Sequence, residues 1–173
     1  MQRKVYDRFR GFACKIVFRY IYRYEKVVDV VTDGFVKLFS NFEQFRYNNE
    51  SDAEKQLMGW VRKIMINCAI DELRKNNMIH EIGQIDEEVW NIDSRSDEAD
   101  QAIIYKDLIN VVKELPAQYR TIFNLYVLDD FSHSEIGELM KISVSTSRSS
   151  LTRARAFLKE RISKMEESKV CSI

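Results

Sequence analysis

At 173 residues, with 45% hydrophobic and 31% charged side chains, the chain has the makeup of one compact domain or two small helical ones. Five glycines and one proline argue against a collagen, a Pro-rich tail or a Gly-rich phosphate loop. No apolar run reaches the ~18–20 residues that span a bilayer, and no secretory segment follows Met1, so the expected location is the cytoplasm. Cys14, Cys68 and Cys171 are odd in number and widely spaced, which predicts free thiols.

A net charge of zero hides an uneven distribution. Residues 1–40 carry nine basic and four acidic groups, residues 79–102 one and eight, and residues 148–173 seven and three. Two basic ends flank an acidic middle, as in a protein that touches nucleic acid at two places, although charged helical surfaces alone also give such runs.

In chain order, Val5, Phe9, Phe12, Ile16 and Tyr20 recur at steps of three and four and predict a helix over 4–24. Val28, Val31, Phe35, Leu38 and Phe42 predict a second over 26–42, with Asp29 and Asp33 beside its apolar stripe. The polar stretch 43–53 reads as a loop. A third helix, 54–76, buries Leu57, Val61, Ile64 and Cys68 and places Trp60, Lys63, Asn67, Asp71 and Arg74 on another side.

Residues 77–102 lose the periodicity and read as an acidic linker. A short helix ends at Pro116, which also suits the first turn of the next, 117–128, with Tyr119, Ile122, Phe123 and Tyr126 inward. Asp129 and Asp130 break the chain. Ser132 and Glu135 have the spacing of a capping box for a short helix. The last helix, 144–166, is expected to turn Val144, Leu151, Ala154, Leu158 and Ile162 inward. No long stretch alternates with period two. The predicted fold is all-α: two small helical domains joined by an acidic linker, the second a helix-turn-helix.

Residues 132–155 carry the sharpest local signal. A short helix, a tight turn and a helix bearing Arg148, Arg153 and Arg155 form a helix-turn-helix pattern. Small residues at the start of the second helix, Ser143, Ser145, Thr146 and Ser149 among them, let it approach a major-groove floor. Arg148 is placed for a guanine edge, Arg153 and Arg155 for phosphates, and Ser143 as the helix cap. A generic helical hairpin with a solvated basic face is the plainer alternative. In the first domain, Trp60 beside Lys63, Asn67, Arg74 and Lys75 suits stacking on an unpaired base near a phosphate backbone, but a tryptophan in such a stripe also serves as core, and Asp71 also suits an ion pair with Arg74 or Lys75. Neither His80 nor His133 has a cysteine at ligand spacing, so no metal and no cofactor is expected. His133 reads as a surface or capping residue.

Four blocks, DVVTDGFVKLF (29–39), WVRKIMINCAIDELRK (60–75), LPAQYRTIFNL (115–125) and FSHSEIGELMKISVSTSRSSLTRAR (131–155), taken in order and spacing, resemble bacterial RNA polymerase sigma factors of the extracytoplasmic-function (ECF) group, in a style like that of the Bacteroidetes lineage. The resemblance implies a promoter-specificity subunit without enzyme activity. Its implied domains are a region 2-like domain at 1–77, a linker at 78–102, a region 4-like domain at 103–167 and a tail at 168–173. Asp29, Val30, Asp33 and Phe35 match the block that binds the clamp helices of the polymerase largest subunit. Trp60, Arg62, Lys63, Asn67, Asp71, Arg74 and Lys75 match the −10 block, and the 43–53 loop matches the one shaping a pocket for a flipped base. Ser145, Thr146, Arg148, Ser149, Arg153 and Arg155 match the −35 reader. The implied partners are core RNA polymerase, through clamp and flap, promoter DNA, and the anti-sigma factor that such proteins often have; no membrane insertion is implied.

Departures from the family pattern stand at four positions: Thr32 for a usual Gln, Gly137 for Ala, Ser147 for Val and Ser150 for Arg. Ser150 is expected to remove a cation from the −35 surface, and Gly137 to loosen its helix by ~0.5–1 kcal/mol if exposed. Relatives also carry further residues before Gln2. A stand-alone helix-turn-helix regulator and a sigma-like protein acting only through protein contacts are the competing readings.

Overall fold

A computed structural model describes residues 2–47, 49–75 and 109–170. The chain divides into two compact units, Met1–Ser96 and Asp97–Ile173. The expected linker at 78–102 lies outside the described residues, as does Cys171. No strand occurs among the described residues.

The first unit packs three helices against one another: α1 (Gln2–Phe18), α2 (Tyr24–Ser40) and α3 (Ala53–Lys75). Helix α1 stops well short of the predicted end at 24. Tyr20, Ile21 and Tyr22 are all buried, and three consecutive side chains cannot share one face of a helix, so the chain leaves the helix to bury them in turn. Backbone bonds of the three-residue kind, Arg19 N–H to the Ile16 carbonyl and Tyr20 N–H to that of Val17, close the last turn.

Helices α2 and α3 cross closely at Gly34, which is buried; a Cβ there would lie 2.5 Å from the Met65 sulfur. The core beneath is apolar, with Val31, Phe35, Leu38, Val61, Met65 and Ile66 at most 2% exposed. Two short 3₁₀ turns, Phe42–Gln44 and Glu50–Asp52, lie at the two ends of the predicted loop.

In the second unit, residues 109–113 are helical and Pro116 precedes α4 (Ala117–Phe123). The predicted 117–128 helix changes character after Phe123: Asn124–Leu128 is a π turn, closed by Asp129 N–H on the Asn124 carbonyl at 3.0 Å. A π turn adds one residue to the helical repeat, so no 3.6-residue pattern reveals it. Helices α5 (His133–Met140) and α6 (Val144–Val170) complete the unit. Val111, Val112, Leu115, Ala154 and Leu158 form a core cluster, flanked by Tyr119, Phe123 and Phe157.

The predicted capping box is formed. Glu135 N–H donates to Ser132 Oγ, while Glu135 Oε2 accepts from Ser132 N–H at 2.8 Å. Between α5 and α6, Lys141 takes the left-handed conformation, φ 57°, and lets the chain reverse. Two apolar residues predicted inward on α6 point out: Val144 is 38% and Ile162 42% exposed. Val144 is the first residue of the helix, and Ile162 lies past Leu158, where the helix outruns the core that would cover it.

Candidate nucleic-acid interface

The helix-turn-helix is set by polar clasps as much as by apolar packing. Thr146 N–H donates to Ser143 Oγ at 3.0 Å, capping the recognition helix α6 as expected. Ser145, Arg148, Ser149, Arg153 and Arg155 are exposed and Thr146 half-exposed, so the six residues matched to the −35 reader share one accessible stretch. Arg153 Nη1 donates to the Tyr119 hydroxyl at 3.2 Å, which steadies it, and the Arg155 guanidinium lies 5.7 Å over the Tyr126 ring.

Ser147 and Ser150 are buried, at 0% and 3% exposed. Ser150 is turned inward, so the expectation that it strips a cation from the −35 surface loses its basis. Gly137 is buried as well, and a Cβ there would stand 2.9 Å from the Ile142 carbonyl oxygen. The glycine therefore admits the tight turn instead of loosening an exposed helix. His133 is neither a cap nor a plain surface residue. Its Nδ1 meets Ser147 Oγ at 2.9 Å, and its ring stacks on Tyr126 with centroids 4.5 Å apart. Partial burial, then the positive charges of Arg148 and Arg155, hold its pKa below the ordinary histidine value. Arg120 of the LPAQYR block is buried, and its Nη1 donates to the Lys113 carbonyl at 3.0 Å, closing the end of the preceding helical stretch.

The first unit holds two other candidate surfaces. Along α2, Asp29, Thr32, Asp33 and Val36 are exposed on one side, Val36 at 59%. Val30 and Phe35, matched to the clamp-binding block, are instead core residues at 4% and 2% exposure; the Phe35 ring meets that of Tyr6 edge-on at 4.9 Å. Val36, exposed on the same side as Asp29 and Asp33, is not among the residues matched to that block. An exposed β-branched residue one turn beyond Asp33 departs from the amphipathic pattern of α2.

The second surface is aromatic. Trp60 stacks on Phe45, centroids 5.4 Å apart and planes 14° apart, and Phe42 lies 6.1 Å away. Tyr47, 50% exposed, extends the cluster from Phe45. Phe42 is read in the sequence as the last member of the second helix's apolar stripe, and Phe45 and Tyr47 fall in a stretch read as a polar loop; the two- to three-residue spacing of the three rings is the signal that joins them. Lys63, Arg74 and Lys75 are exposed, and Arg62 and Asn67 half-buried. Asp71 belongs to the α2–α3 seam: its carboxylate accepts from Arg74 Nη2 at 2.7 Å and faces Lys37 Nζ at 4.0 Å. Cys14 and Cys68 are buried free thiols, and burial raises the pKa of each, which suits packing. No group of residues able to hold a metal occurs among the described residues.

Comparison with known proteins covers both units. The family "Sigma-70 region 2" matches residues 5–78 and "Sigma-70, region 4" matches residues 105–158, together most of the chain. The ECF RNA polymerase sigma factor SigW of Bacillus subtilis (strain 168) is 22% identical over 171 residues, covering 91% of this chain and 87% of its own length. The RNA polymerase sigma factor SigV of the same organism is 29% identical over 156 residues, with 89% and 86% covered. The solved sigma factor RpoE from Bartonella quintana, in complex with the anti-sigma factor NepR, shares the fold with a TM-score of 0.55 at 15% identity, covering 93% of this chain and 96% of that one. With region 2 and region 4 in order and ECF factors as relatives along most of its length, the chain belongs to the sigma-70 family, in its extracytoplasmic-function group.

Proposed function

We infer that this chain is the promoter-specificity subunit of a bacterial RNA polymerase: it binds the core enzyme and directs initiation by reading a −35 element and opening a −10 element. One observation carries this reading: a capped recognition helix presenting Arg148, Ser149 and Arg153 to solvent inside the region 4 match, downstream of a region 2 match. The protein has no reaction of its own in this reading, needs no cofactor, and works in the cytoplasm. No helix among the described residues is long and apolar enough to cross a membrane.

The two units divide the tasks. Residues 1–77 grip polymerase through the exposed α2 side, where Asp29, Asp33 and Val36 follow one another along the helix; Val30 and Phe35 support that face from beneath. The aromatic cluster around Trp60 offers ring surface to a base leaving the stack, a step costing a few kcal/mol, while Lys63, Arg74 and Lys75 meet phosphates. Residues 103–167 read the −35 major groove, with Ser145, Thr146, Arg148 and Ser149 toward base edges and Arg153 and Arg155 toward the backbone. The acidic stretch 78–102 connects the two tasks. The solved relative is held by an anti-sigma factor, and a protein of that kind is the expected regulator here.

Sequencing the 5′ ends of RNA made by core polymerase with the purified chain tests this reading. Discrete start sites sharing −35 and −10 words are expected. Arg148→Ala should lower output from them by ~1–3 kcal/mol of promoter binding. Start sites identical to those of core enzyme alone would refute it.

A further inference from the structure

We propose that His133 is a phosphate-contacting residue of the C-terminal unit, donating to the DNA backbone from Nε2, so that DNA binding takes up a proton. The proposal rests on the reading that this unit binds DNA. Nδ1 is engaged by Ser147 and one ring face by Tyr126, which fixes the imidazole in place. No partner meets Nε2 among the described residues, and the residue is only half-buried. The charged groups facing the ring are Arg148 and Arg155, both on the surface assigned to DNA, and the one titratable ring against it is Tyr126. The nearby carboxylate of its own helix, Glu135, is engaged by Ser132.

The electrostatics then reverse on binding. In the free protein two guanidinium groups oppose an imidazolium, and partial burial adds to that opposition. A phosphate brought between these three groups neutralises the repulsion and favours the charged ring. Ser147 Oγ can accept from a protonated Nδ1, so the clasp survives protonation. The two positions form one device: His133 and Ser147 hold each other across the turn, and Ser147 stands where relatives usually have an apolar residue.

The test uses the full chain and an arbitrary-sequence DNA duplex at low salt, since a backbone contact needs no promoter sequence. Binding is expected to be about threefold to tenfold tighter at about pH 6 than at about pH 8. The slope of log affinity against log salt should steepen by about 0.9 at the lower pH, a change that a purely structural role does not produce. His133→Gln should abolish both effects, while His80→Gln, at the chain's other histidine, should leave them intact. A His133→Gln protein that keeps the wild-type pH response, a wild type with none, or a chain that does not bind the duplex would overturn the proposal. If His133→Gln does not fold, the NMR titration of the His133 ring decides: duplex DNA should move its midpoint to higher pH, and an unmoved midpoint overturns the proposal. Failure of promoter-directed transcription is a separate outcome that sinks the initiation reading alone.

Discussion

The two units are held together differently. Every buried polar or charged residue among those described, Arg120, Thr121, Asn124, Asp129, Ser147 and Ser150, lies in the C-terminal unit. The N-terminal unit is an interlock of long helices with an apolar centre. The C-terminal unit joins short helices to the long helix α6 with caps, a π turn, a left-handed residue and side-chain clasps. Short helices bury too little area to set their crossing angles by packing alone, and directional bonds supply the remaining constraint. In the second unit the polar joints therefore help to set the angle of the helix-turn-helix, whereas the first unit rests on apolar packing.

Substitutions can break or sharpen this contrast. The largest effect is expected at Leu38, fully buried in the first unit: Leu38→Ala should cost ~2–5 kcal/mol in urea unfolding, with a change in midpoint and not in slope. A loss below that range would mean that this core is looser than described. Gly137→Ala comes next. Its methyl would press on the Ile142 carbonyl, a backbone atom that cannot swing aside, and a loss of ~1–3 kcal/mol is expected in the C-terminal unit. A stabilised Gly137→Ala protein would show that the turn has slack. The smallest effect has the opposite sign. Gly59 is exposed in the interior of α3 with nothing within 4 Å of a Cβ, so Gly59→Ala should raise the melting temperature, by ~0.5–1 kcal/mol of stability.

The same contrast explains what the sequence disclosed. Helices α2 and α3 were legible because their apolar stripes recur at helical spacing around one centre, and α5 because Ser132 and Glu135 announce its start. The end of α1 was not, since the burial of Tyr20–Tyr22 continues the apolar content of the helix without its geometry. The π turn carries no periodic mark. At the interfaces, exposed arginines and serines of α6 followed from the helix-turn-helix pattern. Matching a family block residue by residue, in contrast, does not distinguish exposed side chains from those beneath them, so the block at 29–35 joins the exposed Asp29 and Asp33 to the buried Val30 and Phe35. Burial decides what a substitution means at Gly137 and Ser150, both buried, and no local pattern reports it.

The most direct test of the central claim is association of the purified full chain with core RNA polymerase by size-exclusion chromatography, wild type against Val36→Glu. A stable complex is expected for the wild type, and its loss for a Val36→Glu protein that melts like the wild type, because a third carboxylate replaces the exposed apolar contact one turn beyond Asp33. A wild-type chain that elutes apart from core enzyme, with no inhibitor present, would contradict it.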